Sequence, residues 1–232
     1  MNQQLLLEVI PAPRPTLSDT VAGPNAAALE AARTLAPGRA VYFWGPPGSG
    51  KTHLLLSMCA ERSGCLFNAA SDASQMLALA TDSSDATIGL LAIDDIQEMT
   101  DEQLAAVFAL YNRWRECSSG PGAFALAVSG DRSAAAMELR EDLRTRLGWD
   151  LVYRLSPLSD EDKLEALRTY AQKKGLPLSA DVLGWILTHH VRDIRQLFAL
   201  VDALDRYSLS HHRPITVPLL RMMLSDRDFL KS

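Results

Sequence analysis

The chain has little that would anchor it in a membrane or staple it together. No apolar run approaches the roughly 20 residues that a membrane-spanning helix needs, so no membrane partner is expected. Its three cysteines, Cys59, Cys65 and Cys117, are odd in number and lack both CxxC spacing and a nearby His pattern. That excludes a disulfide framework or a zinc module and predicts reduced thiols in packing positions. Aromatics are only 6% of the residues. Trp44, Trp114, Trp149 and Trp185 are widely scattered, which suits core positions better than a base-stacking platform. A basic excess is missing too: the formal net charge is −5, whereas a chain that grips DNA on its own surface carries a basic face. DNA contact is therefore expected to be indirect. Leu5 to Leu7 is too short for a signal-peptide core and has no basic leader, so a cytoplasmic protein is expected.

What is present is the composition of a globular protein, 47% hydrophobic and 22% charged over 232 residues. "AAALEAARTLA" reads as a helix stopped by Pro37-Gly38. "AVYFWG" reads as a buried strand, "HLLLSMCAER" as a helix, "CLFN" as a strand and "SQMLALA" as a short helix. "IGLLAI" has the unbroken apolar character of a strand covered on both faces. "DEQLAAVFALYNRWREC" shows helical spacing, and "AFALAVS" and "LVYRL" complete five strands. Strands alternating with helices predict an α/β fold with a mainly parallel sheet. From Ser156 the strands stop. Ser159 followed by Asp162 opens a helix, and "SADVLGWILTHH", "DIRQLFALVDALDRYSL" and "TVPLLRMMLS" supply three more. Ile194, Leu197, Phe198, Val201 and Leu204 mark the apolar stripe of the third. The predicted organisation is a tail over 1–13, an α/β nucleotide-binding domain over 14–155 and a small all-helical lid over 156–232.

The chemistry begins at "GPPGSGKT". Gly45, Pro46, Pro47, Gly48, Ser49, Gly50, Lys51 and Thr52 match GxxxxGK[ST] and sit between a strand and a helix, as a P-loop must. The glycines free backbone N–H groups to cradle phosphate oxygens at a helix N-terminus. Lys51 is expected at the β- and γ-phosphates and the Thr52 hydroxyl on Mg²⁺. "LLAIDD" ends an apolar strand in Asp94, a second metal-holding group, and Asp95, which takes the place of the Glu common in fast ATPases. The cofactors expected are ADP or ATP with Mg²⁺.

"GPPGSGKTHLL", "LLAIDDIQ", "SGDR" and "TRLGWDL", in this order and with the upstream "RPTLSDTVAGPNAAAL", resemble the AAA+ domain of the DnaA family of bacterial replication initiators. The resemblance implies the AAA+ fold, a parallel five-stranded sheet with a helical lid. It puts Asp131 at the sensor-1 position, Arg146 at the arginine-finger position and Arg192 at the sensor-2 position, with His53 beside the nucleotide. The residues themselves leave alternatives open. Asp131 also fits a helix N-cap or turn, Arg192 a local pair with Asp193, His53 a packing role, and Arg146 a solvated arginine in the Arg-rich loop before the fifth strand. His189-His190 and His211-His212 read as helix-end or surface histidines.

The initiator's assembly and DNA-reading domains find no counterpart here, and the tail differs too. "QLLLEV" resembles the peptide by which proteins dock on the replicative sliding clamp, with Gln4 as polar anchor and Leu5, Leu7 and Val9 in apolar subsites. The alternative is that the leucines pack on the chain's own domain or form an edge strand. A clamp-binding tail on a lone AAA+ module resembles regulators that inactivate the initiator. The implied partners are DnaA and the clamp, at the replisome or nucleoid, and the implied act is stimulation of hydrolysis of DnaA-bound ATP by Arg146. The rivals are a self-assembling AAA+ ATPase, a homo-oligomer in which Arg146 serves a neighbouring copy, and a helicase loader or DNA-associated adaptor.

Overall fold

The computed structural model describes residues 16–18, 20–81, 88–189 and 194–226, Arg195 in its backbone only. They fall into two compact units divided between Pro157 and Leu158. Among them, no helix is long and apolar enough to cross a membrane.

The first unit is built on strands β1 (Ala40–Trp44), β2 (Cys65–Phe67), β3 (Leu90–Ile93), β4 (Ala125–Gly130) and β5 (Leu151–Arg154). They pair in the order β2-β3-β4-β1-β5, every neighbour parallel. Helices α1 (Ala26–Thr34) and α2 (Lys51–Glu61) cover one face, and α3 (Ala73–Thr81), α4 (Asp101–Cys117) and α5 (Glu141–Leu147) the other. The alternation of side chains along a strand sorts the two cores. Val41, Phe43, Ala92 and Ala127 pack with Leu54, Leu55 and Met58, while Tyr42, Ile93 and Val128 pack with Val107, Leu110 and Tyr111. Burying each large apolar side chain is worth about 1.5–3 kcal/mol. β1 therefore lies inside the sheet, and its C-terminal end is the point where strand order reverses, the usual place for a ligand in an open parallel sheet.

Two helices open with capping boxes, the second of them expected from the sequence. Thr100 accepts from the Gln103 N–H while Gln103 Oε1 accepts from the Thr100 N–H, closing a capping box before α4. In the second unit Ser159 and Asp162 do the same before α6 (Asp160–Lys173). That unit continues with α7 (Ala180–His189), α8 (Ile194–His211) and α9 (Val217–Ser225). Leu197, Val201 and Leu204 are buried on α8 and Phe198 nearly so, the stripe its spacing predicts. Phe198 stacks on Tyr170 of α6 at 4.4 Å. The hydroxyl of Tyr170 donates to Asp202, which also receives Lys174 Nζ at 2.6 Å.

Two expectations fail in the first unit. Arg146 does not lie on a loop: it occupies the last turn of α5, a helix the sequence reading did not contain. Glu141 and Asp142 in its first turn and Arg144 and Arg146 in its last complement the helix dipole, and Leu143 and Leu147 seat it on the core. Trp149 is not a core residue either, being 48% exposed. It follows the C-capping Gly148, so the chain turns out of the helix before the indole can reach the core.

Candidate functional site

The P-loop leaves β1 beside the end of β4, where the Gly45 N–H donates to Gly130 O at 3.1 Å. A side chain on Gly45 would place a Cβ 2.2 Å from Leu155 O, so only glycine lets the loop pass the end of β5. Gly50 takes φ +92° immediately before α2, and a Cβ there would meet nothing within 4 Å. Its glycine answers the backbone conformation rather than crowding. Lys51 is buried, and its ammonium donates to Gly45 O at 2.9 Å and to Pro46 O at 3.4 Å. It also stands 3.8 Å from Asp95 Oδ1. Ser49 Oγ is buried in the same loop and has no hydrogen-bond partner among the described residues. A buried cation held by loop carbonyls, an orphaned hydroxyl and the N-terminus of α2 form a set of donors suited to phosphate.

The acidic half comes from the end of β3. Asp94 is buried, and its Oδ1 accepts from the Ser129 hydroxyl at 2.6 Å. The same hydroxyl accepts from the Asp95 N–H at 2.8 Å. Ser129 thus fixes both carboxylate-bearing residues from the neighbouring strand. Asp95 adopts the left-handed conformation, φ +45°, which is uncommon outside glycine and is held here by the bond to Ser129. Asp94 engages Ser129 through Oδ1, while Asp95 is turned to the lysine.

Asp131 lies two residues beyond Ser129. Its N–H donates to Gln97 at 3.1 Å, and its carboxylate pairs with Arg132 at 2.7 Å. The Arg132 guanidinium holds that carboxyl below the usual range. His53 Nε2 and the Thr20 hydroxyl are 3.2 Å apart, tying the first turn of α2 to the segment that precedes the domain. That segment is fastened elsewhere as well: Leu17 is buried, its N–H donates to Glu61 at 2.8 Å, and its carbonyl accepts from Arg33 at 3.1 Å. Arg192, Gln4, Leu5, Leu7 and Val9 lie outside the described residues.

Arg146 stands in a different setting. Its guanidinium lies 3.9 Å over the Phe108 ring, and Nη1 donates to Asn112 Oδ1 at 2.7 Å. Both partners are on α4, one turn apart. Burial and the nearby charge of Arg115 pull its pKa down. The guanidinium is held by an aromatic face and a neutral amide, which fix its direction, and among the described residues no carboxylate pairs with it directly, although the Asp142 charge acts on it from nearby. Sequence reasoning missed Ser129, Phe108 and Asn112, which carry no motif. The one available signal was the spacing of Phe108 and Asn112 on a strongly periodic helix.

A parallel sheet with the P-loop after β1, an acidic pair after β3 and a following helical unit define an AAA+ P-loop protein. Residues 160–224 match the family model described as "Hda, lid domain". A DNA replication initiation factor aligns at TM-score 0.62 and 18% identity over 84% of this chain and 65% of its own. Domain III of DnaA from Thermotoga maritima aligns at TM-score 0.62 and 21% identity, over 96% of this chain and all of that domain. DnaA from Aquifex aeolicus, solved with AMPPCP, aligns at TM-score 0.62 and 18% identity, over 85% and 67%. The chain thus spans less than two thirds of the first of these. Identities so low speak for the fold alone, and the lid match adds that the second unit is similar to the lid domain of Hda.

Proposed function

We propose that this protein is a negative regulator of replication initiation that, tethered to the sliding clamp by its tail, stimulates hydrolysis of the ATP bound to DnaA. The carrying observation is the match of 160–224 to the Hda lid, joined to a P-loop domain in which Arg146 has no carboxylate in salt-bridge range among the described residues.

In this reading the protein keeps a nucleotide of its own, and ADP favours the active monomer. The amides of 45–52 and the Lys51 ammonium hold its phosphates, with His53 and Asp131 in the same unit, and family likeness gives Arg192 of the lid the sensor-2 role. Thr52 and Asp94 hold Mg²⁺, whose charge neutralises phosphate oxygens. Asp94 is aimed by the hydrogen bond from Ser129, and Asp95 orients Lys51. Arg146 acts in trans. Phe108 and Asn112 keep its guanidinium extended, so little ordering entropy is lost when it meets a partner's γ-phosphate. Stabilising the charge of the transferred group is worth about 10³ to 10⁵ in rate where arginine fingers act. The tail, 1–13, supplies Gln4, Leu5, Leu7 and Val9 to the clamp and brings the protein to the replisome in the cytoplasm. Contact with DNA is then indirect, through the clamp.

The test is hydrolysis of ATP preloaded on DnaA, with this protein, with and without DNA-loaded clamp. Clamp-dependent stimulation is the expected result, abolished by Leu5→Ala with Leu7→Ala. No stimulation overturns the proposal. The pairing of Lys51 with Asp95 in a complete P-loop favours a second reading, a self-assembling ATPase whose Arg146 serves a neighbouring copy. Steeply concentration-dependent hydrolysis by the protein alone is its signature.

A further inference from the structure

A second arginine stands at the surface that carries Arg146. Arg115, exposed in the last turn of α4, lies 5.5 Å from the centre of the Trp149 ring, and Arg146 lies at the same distance from that ring. The two guanidinium groups therefore share one half-exposed indole. Arg140 lines the same hollow, of about 740 Å³, with Glu141 and Asp142. Asp142 is taken up by Arg140 at 3.0 Å and also caps the Leu143 N–H at 2.8 Å. Among the described residues, neither Arg115 nor Arg146 has a carboxylate in salt-bridge range. Two like charges gathered on one aromatic ring repel: burial first and then the charge of Arg115 depress the pKa of Arg146, and the Asp142 carboxylate offsets them only in part. Such an arrangement loses free energy in the isolated protein and regains it when an anion arrives. The hollow is of a size that takes a phosphate-bearing group.

We infer that Arg115 and Trp149 extend the arginine-finger surface into a receptor for the polyphosphate of a nucleotide held by the partner AAA+ protein. Trp149 is the scaffold, splaying the two cations so that both face outward. Arg115 is a positioning residue: it draws the partner's anionic group in and orients it, while Arg146 acts at the reacting phosphate. The inference rests on the reading of Arg146 as a finger in trans.

The experiment titrates wild type, Arg115→Gln, Arg115→Lys, Arg115→Glu and Arg146→Ala into ATP-loaded DnaA with DNA-loaded clamp, at low and high salt. Arg115→Gln is expected to raise the half-saturating concentration about fivefold at low salt, far more than it lowers the maximal rate, and the gap should close as salt screens it. Arg115→Lys should recover most of the loss and Arg115→Glu should deepen it. Each variant's own nucleotide affinity reports whether it is folded. Coincident curves for all Arg115 variants at every salt, with Arg146→Ala still inactive, overturn the inference and leave the finger intact. Stimulation that survives Arg146→Ala overturns the finger reading and this inference with it.

Discussion

The P-loop and the Arg146 surface both aim cations at phosphate, yet they are built oppositely. Around the P-loop every charge is answered from within the chain. Lys51 is buried against two carbonyls and Asp95, and Asp94 is bonded to Ser129. Around Arg146 the supports are an aromatic ring and an amide, and a second arginine is close enough to lower its pKa. In the proposed function the first arrangement retains a ligand that the protein itself holds, and the second presents a charge to a partner.

Opposite substitutions should separate the two sites. Arg146→Ala is expected to cut stimulation of DnaA-bound ATP hydrolysis by about 10³-fold or more, with this protein's own nucleotide affinity unchanged by equilibrium binding. Lys51→Ala should do the reverse at its primary site, lowering that affinity by about 100-fold, because a buried ammonium aimed at phosphate is worth several charge-assisted hydrogen bonds. If Arg146→Ala impairs the protein's own nucleotide binding to the same degree, the two surfaces are one site and the contrast collapses.

The supports of each site form a second tier. Ser129→Ala removes the donor to Asp94 and the acceptor for the Asp95 N–H together. It should weaken Mg²⁺-dependent nucleotide binding by about tenfold to 100-fold, the range seen when groups behind a metal ligand are lost. Binding without Mg²⁺ should change much less, since the loop amides and Lys51 are untouched. An equal loss with and without Mg²⁺ would mean that Ser129 shapes the loop rather than the metal-holding carboxylate.

How far the sequence foretold these sites follows from how local each one is. Gly45 to Thr52 form a contiguous motif between a strand and a helix, so the phosphate cradle was legible from end to end, and Asp94 and Asp95 were marked by the apolar strand before them. Ser129 was not, because it joins Asp94 across 35 positions through the pairing of β3 with β4, and register is not written in composition. Arg146 was singled out by family likeness but placed on a loop. The seven residues of α5 are too few to show a period, and tertiary seating through Leu143 and Leu147 makes the helix. Trp149 was assigned to the core because apolar character does not reveal direction. The break at Gly148 turns it outward, and there it becomes the ring on which two arginines converge.

Asn112→Ala is the smallest effect expected here and the sharpest probe of the Arg146 side. Asn112 accepts one hydrogen bond from Nη1 of Arg146, 34 positions further along the sequence. Without it the guanidinium keeps its stack on Phe108 but regains freedom to rotate about its long side chain. The cost is the entropy of one restrained rotor, together with an amide acceptor's share of a charged hydrogen bond, about 1–2 kcal/mol. A loss of roughly tenfold in maximal stimulation follows, with little change in the half-saturating concentration and none in the protein's own nucleotide affinity. Asn112→Asp separates direction from charge: it restores an acceptor at the same place but pairs the arginine and cancels its field. If direction alone mattered, that variant would match wild type. Because the finger has to arrive uncancelled, Asn112→Asp is expected to stimulate no better than Asn112→Ala.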